Sequence, residues 1–294
     1  MVLFSLLRTL FILGRVSNLP TVWTNVATGW FLSGGGWTGE FAWIVLGMSL
    51  IYIAGMTLND AFDAAWDRAH APSRPIPAGR IGHGAVWATG SIEMIAGVAV
   101  LAGMTSVPLL LAGGLVLAVL LYNWLHKRWA GSVLVMGLCR AFVYIGAGGA
   151  VAAHTGSIEV PATLLVISAG VVIYIAGLTL AARQEHLAAP PVLARLPGLM
   201  LMLPVLFPLL VFRTVPQEIL WYAVAAVGVL GVGAWLVIMR RALAERVPKG
   251  IAFAIAGIAF FDASVVAFAD WLAAVACLAA FVLTLGLQRV IPAT

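Results

Sequence analysis

Apolar runs, each near the length of a bilayer crossing, fill most of this chain and fix its fold class before any motif is read. They fall at about 16–33, 41–58, 84–104, 107–125, 131–152, 160–182, 195–213, 217–239, 250–268 and 271–289. A membrane-spanning helix needs about 20 consecutive apolar residues. The runs lack the period-2 alternation of barrel strands, so the spans are helices. Only Ala269 and Asp270 separate the last two runs. They are two short spans or one long broken helix, and the total is nine, possibly ten. Composition excludes the water-soluble alternative: 63% of the 294 residues are hydrophobic and 9% are charged, against roughly 25% charged in a soluble domain. Sixteen basic and 11 acidic side chains cannot cover a water-facing surface of this size. The expected fold is an all-α polytopic membrane protein occupying residues 1–294 as a single domain, with the lipid bilayer as its surroundings.

Charge is distributed unevenly among the connections. Those after the second, fourth, sixth and eighth runs carry Arg68, Arg74, Arg80, Lys127, Arg128, Arg183, Arg195, Arg240, Arg241, Arg246 and Lys249. The alternate connections carry almost nothing basic, Arg213 excepted. By the positive-inside rule the N-terminus and the even-numbered connections lie in the cytoplasm, as in a bacterial-type inner membrane. The net charge of +5 therefore reports topology and calls for no nucleic-acid partner. Arg8 and Arg15 flank a short apolar stretch that reads as part of the first span and not as a removed signal peptide. Cys139 and Cys277 both lie in apolar runs, without the spacing of a metal site. Pro197, Pro204 and Pro208 each remove a helix hydrogen bond from the seventh run, which should be kinked or broken and, like other bent membrane helices, should line a cavity.

The chemistry-bearing segment is Asn59-Asp60-Ala61-Phe62-Asp63-Ala64-Ala65-Trp66-Asp67-Arg68, at the end of the second run. Spacing of i, i+3 and i+7 turns Asp60, Asp63 and Asp67 to one side of a helix, with Asn59 beside them. Three like charges there need a cation, and acids at a helix C-terminus oppose the macrodipole. An oxygen-rich cluster of this kind suits Mg²⁺, which takes one or two carboxylates, keeps waters and completes its shell with substrate phosphates. The next segment, Arg74-Pro75-Ile76-Pro77-Ala78-Gly79-Arg80, is stiffened by two prolines. Its arginines, with Arg68, can neutralise a diphosphate, because guanidinium forks match phosphate oxygens.

The pattern N-D-x-x-D-x-x-x-D followed by R-P-I-P-x-G-R resembles the first aspartate-rich motif of the UbiA superfamily of intramembrane prenyltransferases. Arg15-Val16-Ser17-Asn18-Leu19-Pro20 is similar to the family's opening helix, Tyr122-Asn123-Trp124-Leu125-His126-Lys127-Arg128 to the end of its fourth, and Gly137-Leu138-Cys139-Arg140 to the start of its fifth. The resemblance implies helices around a central cavity, Mg²⁺ as cofactor, and transfer of a prenyl group from its diphosphate to an aromatic or other lipophilic acceptor. It implies Asp60, Asp63 and Asp67 as the catalytic carboxylates, with Asn59 completing the metal set. Arg68, Arg74, Lys127, Arg140 and Arg183 are the expected diphosphate contacts.

One departure stands out. Where the family has a second motif of D-x-x-x-D type, this chain has Thr179-Leu180-Ala181-Ala182-Arg183-Gln184-Glu185-His186. Either Glu185 supplies a metal oxygen and Arg183 meets phosphate directly, or the second site is lost and catalysis with it. The variant resembles the EboC-like branch. Its rival function is a non-catalytic membrane protein that binds or carries a prenylated or phosphorylated small molecule. Among the remaining intramembrane charges, Glu93 and Asp262 are expected to serve packing or polar pairing, since such a charge costs at least about 2.5 kcal/mol on insertion scales unless it faces a partner or a cavity. Asn18 and Asn25, seven residues apart, share one helix face. They either orient the polar end of an acceptor or bond between helices.

Overall fold

The computed structural model describes residues 2–157, 159–183, 195–216 and 218–292. Among them the chain is helical throughout, with no strand. A short α1 (Val2–Leu13) precedes a single 3-10 turn at Val16–Asn18, and α2 (Pro20–Leu32) follows with its proline at the first turn. The break between them sits at Arg15, whose φ of 43° and ψ of 49° are left-handed, a conformation that costs a residue other than glycine about 1–3 kcal/mol. Asn18 and Asn25 therefore lie on different elements, not on one helix face as their spacing implies.

Helix α3 (Gly39–His70) starts at a Thr38 cap that accepts from the Phe41 amide and runs 32 residues without interruption. It stops at Ala71 because Pro72 cannot continue it and disfavours the helical conformation of the residue before it. It packs along α4 (His83–Met104), where Gly47 and Gly97 face one another closely enough that a β-carbon on either would press on the other helix. Helices α5 (Leu109–Leu125), α6 (Ser132–His154) and α7 (Ala162–Arg183) follow. The α2–α6 crossing is tighter still: a β-carbon at Gly29 would run into the Tyr144 carbonyl.

The seventh run is broken as its prolines predict, into α8 (Arg195–Met200), a 3-10 turn at Leu203–Leu206 and α9 (Phe207–Phe212). It does not line the central cavity. Instead it wedges against the glycine face of α7, with Met200 over Gly177 and Phe207 over Gly170. Helix α10 (Ile219–Glu245) precedes α11 (Val247–Val266) and α12 (Trp271–Leu287). The last two are separate helices, because Asp270 breaks the chain and caps α12 through a bond from the Ala273 amide. Among the described residues six helices are long and apolar enough to cross a membrane, namely α3, α4, α6, α7, α10 and α11. The protein is a multi-pass integral membrane protein.

Candidate active site

Because α3 continues unbroken to His70, the three aspartates keep the common face that their spacing demands. That face is turned inward. Asp60, Asp63 and Asp67 are 6%, 6% and 1% exposed, so they are not a solvated helix end. The proline-stiffened loop curls back over them, closed by bonds from the Ala78 amide to the Arg74 carbonyl and from the Arg80 amide to the Pro75 carbonyl, with Gly79 at a φ of 69°. This fold-back drives one Arg74 nitrogen into the acids: it lies 3.0 Å from Asp67 Oδ2, 3.6 Å from Asp60 Oδ1 and 4.0 Å from Asp63 Oδ2. From the other side, at the end of α5, Lys127 Nζ lies 2.9 Å and His126 Nε2 3.1 Å from Asp63 Oδ1. Lys127 also sits 3.8 Å above the Trp66 ring, which stacks on His70. Asn59 donates to Asn123, and Asn123 donates to the Gly55 carbonyl, fixing α5 against α3 at this level.

The cations present do not saturate the acids. Asp60 Oδ1 and Asp67 Oδ1 are buried without a hydrogen-bond partner. Two buried carboxylate oxygens without a hydrogen-bond donor, one of them only 3.6 Å from Arg74, suit a hard divalent cation. Among the described residues no three His, Cys, Asp or Glu converge to enclose a metal unaided, so water and phosphate would have to complete its shell, as Mg²⁺ prefers. Glu185 lies outside the described residues.

Two cavities meet at this end of the molecule. The outer one is a mouth lined by Arg8, Arg15, Arg74, Arg80 and Asp60. The inner one lies between α2, α3, α5, α6, α7 and α11 and is walled mainly by aliphatic side chains such as Met48, Ile51, Leu115, Val119, Leu178 and Ile258. Its aromatic wall consists of Tyr52 and Tyr122. Arg15 lines both cavities.

Several expected contacts fall elsewhere. Arg68 is exposed and is not among the residues of the arginine-lined mouth, since it lies about 100° around the helix from Asp67. Arg183 gives its guanidinium to the α5–α6 connection, donating to the His126 carbonyl at 2.8 Å, Ser132 Oγ at 2.8 Å and the Ala130 carbonyl at 3.3 Å. It is a strut for the loop that carries Lys127 and not a free phosphate donor. Arg140 belongs to the inner cavity, where it donates to Asn25 Oδ1 at 2.7 Å. Asn25 is fully buried and does not face the cavity; Asn18 does, and accepts from Gln288. Sequence reasoning missed Arg8, Arg15 and His126 as members of the site. Arg15 opens the segment similar to the family's first helix, but the left-handed backbone at that residue carries no sequence signal.

The site thus joins a buried acidic cluster, an arginine-lined mouth that Asp60 reaches, and an apolar chamber among the helices. The UbiA prenyltransferase family model matches residues 19–253, and the chain belongs to that family. It is a prenyltransferase by family. Solved structures share the fold. A structure described as digeranylgeranylglyceryl phosphate synthase in membranes aligns over 93% of this chain and 99% of its own, with 16% identity and a TM-score of 0.61. An apo UbiA homologue from Aeropyrum pernix K1 gives 17% identity, 85% and 97% coverage and a TM-score of 0.62. A UbiA homologue from Archaeoglobus fulgidus bound to GPP and Mg2+ gives 14% identity, 87% and 99% coverage and a TM-score of 0.59. No curated protein matches the sequence.

Proposed function

We propose that this protein, acting as one transmembrane domain over residues 1–294, transfers a prenyl group from its diphosphate to a lipophilic acceptor in a Mg²⁺-dependent reaction. The observation that carries this reading is a cluster of three buried carboxylates, of which Asp60 reaches an arginine-lined mouth that shares Arg15 with the apolar chamber. Binding of GPP and Mg2+ by the Archaeoglobus fulgidus homologue supports it. Asp60 and Asp67 would hold the metal through the two oxygens that accept no hydrogen bond, with Asp63 beside them and Asn59 at the cluster's edge. Mg²⁺ bound there supplies neutralisation of the charge that builds on departing diphosphate.

The chain's own residues account for the rest. Arg74 and Lys127 are held against the aspartates, which orients both cations toward the proposed diphosphate site. Arg8, Arg15 and Arg80 surround the same opening. The aliphatic chamber takes the isoprenoid chain and excludes the water that would capture an allylic cation. Tyr52 and Tyr122, not tryptophan or phenylalanine, are the rings available to face positive charge there. The absence of a second aspartate pair supports an EboC-like form. The basic connections support an orientation with this mouth and the N-terminus on the cytoplasmic side of a bacterial-type inner membrane.

The test is magnesium-dependent binding of geranyl diphosphate to the purified protein in lipid nanodiscs, followed by diphosphate release with a panel of aromatic and aliphatic acceptors. Binding with release supports transfer. Binding without release under any acceptor moves the protein to the non-catalytic carrier reading, which the use of Arg183 as a strut favours. Absence of magnesium-dependent binding refutes both.

A further inference from the structure

The inner chamber has nearly the same depth on each of five helices that line it. On α3 its wall runs from Met48 to Met56 and on α5 from Leu115 to Asn123, eight residue steps in each case and about 12 Å at 1.5 Å per step. On α6 it runs from Met136 to Val143, on α7 from Ile175 to Ala182 and on α11 from Ile251 to Ile258, seven steps and about 10 Å. The outer limit lies about one turn of α3 inward from Asp60, and Arg15, which lines both cavities, joins the chamber to the mouth. A hydrocarbon chain whose head is held in the mouth enters past Arg15.

A hydrogen-bonded knot closes the inner end. It occupies the turn next beyond Val22 on α2, Val143 on α6 and Ile258 on α11. Asn25 Nδ2 donates to Tyr144 Oη at 2.7 Å and to Asp262 Oδ2 at 2.8 Å. Tyr144 gives its own hydrogen to Asp262 Oδ1 at 2.7 Å, and Thr24 Oγ1 donates to Oδ2 at 2.6 Å. This leaves Asn25 Oδ1 to accept from Arg140, which ties the chamber wall one turn outward into the knot. Thr24, Asn25, Tyr144 and Asp262 are at most 2% exposed, and none of them lines the chamber. A chain that parted them would strip a buried carboxylate of its donors. On α7, beside Ile175, the buried Tyr174 donates to the Ala254 carbonyl at 2.8 Å and stands edge-on to Phe261. On the α3 side Met48 lays its methyl group against Gly146 of α6, where a β-carbon would lie 2.9 Å from it.

Resting on the prenyl-transfer reading above, we propose that the chamber is a ruler for the donor chain, sized for two isoprene units, and that Met48 sets its inner limit. An extended polypeptide advances about 3.5 Å over three backbone bonds, so a four-bond isoprene unit takes about 5 Å when extended. Two units take about 10 Å and match the chamber, whereas three take about 15 Å and four about 20 Å and meet the knot. One unit leaves the inner half of the chamber unfilled. The donor this chain selects is therefore a ten-carbon diphosphate. Met48 is the part of the limit that substitution can move, because its side chain is apolar and flexible, stands outside the knot and faces a glycine.

The experiment measures magnesium-dependent binding of dimethylallyl, geranyl, farnesyl and geranylgeranyl diphosphates to the full chain in nanodiscs. Affinities are referred to free aqueous ligand, with empty nanodiscs as the partition blank. The wild type should bind geranyl diphosphate about tenfold or more tightly than dimethylallyl diphosphate, which buries five fewer carbons. It should bind farnesyl and geranylgeranyl diphosphates about tenfold or more weakly than geranyl diphosphate, on the scale of overfilling a packed core. Met48→Ala should raise the farnesyl-to-geranyl affinity ratio about tenfold, and Met48→Val, a milder truncation, should move it in the same direction by less. Leu115→Phe, at the inner limit on α5, should lower the geranyl-to-dimethylallyl ratio. Each protein is read as a ratio between two ligands with one head group, so a partial loss of folding cancels. Farnesyl or geranylgeranyl diphosphate bound by the wild type as tightly as geranyl diphosphate overturns the ruler and leaves the prenyl-transfer reading standing, since the chain would then pass between helices into lipid. Unchanged ratios in both Met48 variants overturn the assignment of Met48. A wild type that binds none of the four with magnesium strikes the prenyl-transfer reading and the ruler with it.

Discussion

Replacing Asp63 by asparagine separates the two roles of the acidic cluster, stability and ligand binding. The substitution keeps shape and one acceptor oxygen but removes the charge that faces Lys127 at 2.9 Å, His126 at 3.1 Å and, more distantly, Arg74 at 4.0 Å. A charged hydrogen bond contributes about 1.5–3 kcal/mol and a neutral one about 0.5–1.5, so each of the two close contacts loses about 1 kcal/mol. Lys127 and Arg74 have side chains 31% and 32% exposed, and water takes up part of that loss. The net destabilisation should therefore be about 1–2 kcal/mol, well short of the 3–5 kcal/mol of a fully buried broken pair. Binding should suffer more. Removing one anionic oxygen from the metal set, and releasing Lys127 and Arg74 from their places, should weaken magnesium-dependent affinity for geranyl diphosphate by about 100-fold or more, on the scale of 1.4 kcal/mol per tenfold. Asp60→Asn makes the contrast. Asp60 Oδ1 accepts no hydrogen bond and meets Arg74 only at 3.6 Å, so neutralising it removes a buried charge and its repulsion from two acids at the cost of one long ion pair, and the protein should stay close to wild type in stability while losing magnesium-dependent binding as severely. A magnesium titration at fixed geranyl diphosphate, beside thermal denaturation in the same detergent, reads both quantities. Wild-type magnesium dependence in Asp63→Asn would refute the assignment of this cluster to the metal.

Arg183→Ala should increase amide hydrogen exchange across residues 126–132, because three bonds to that connection are lost, and Arg183→Lys should recover less than half of the protection since a point charge cannot span three acceptors. Unchanged exchange would return Arg183 to the role of a free phosphate donor. Gly29→Ala should lower stability by about 1–3 kcal/mol or more by forcing α2 from the Tyr144 carbonyl, whereas Gly113→Ala, with open space around it, should be neutral or stabilising in the same melting assay. Cysteines placed at the exposed positions Ala78 and Ala244 should resist an impermeant reagent added outside intact cells; labelling of either would reverse the proposed orientation.

Linear spacing made the acidic cluster legible because helical periodicity alone decides which side chains share a face, and α3 contains nothing to interrupt that periodicity until Pro72. Helix breakage was legible for a similar reason, since proline acts on its own turn. The cations were harder. Arg68, Arg74, Lys127, Arg140 and Arg183 look alike as basic residues near a basic face, yet their roles diverge with the third dimension. Arg74 reaches the acids because a loop folds back, Arg183 is held by carbonyls 50 or more residues away in sequence, and Arg140 is aimed by a carboxylate on α11. A long flexible side chain takes its direction from its hydrogen-bond partners, and those partners are non-local. Sequence therefore located the positive charge but did not divide it between carboxylate, backbone and chamber. The same reasoning explains Asp262. An acid in the middle of an apolar run reads as a packing device, and its immediate bonds to Thr24, Asn25 and Tyr144 agree with that reading. Only the direction imposed on the Asn25 amide connects it to Arg140. What Asp262 stabilises is thus the orientation of a cation it does not touch, and helix packing and the aim of a chamber-lining side chain rest on one set of hydrogen bonds.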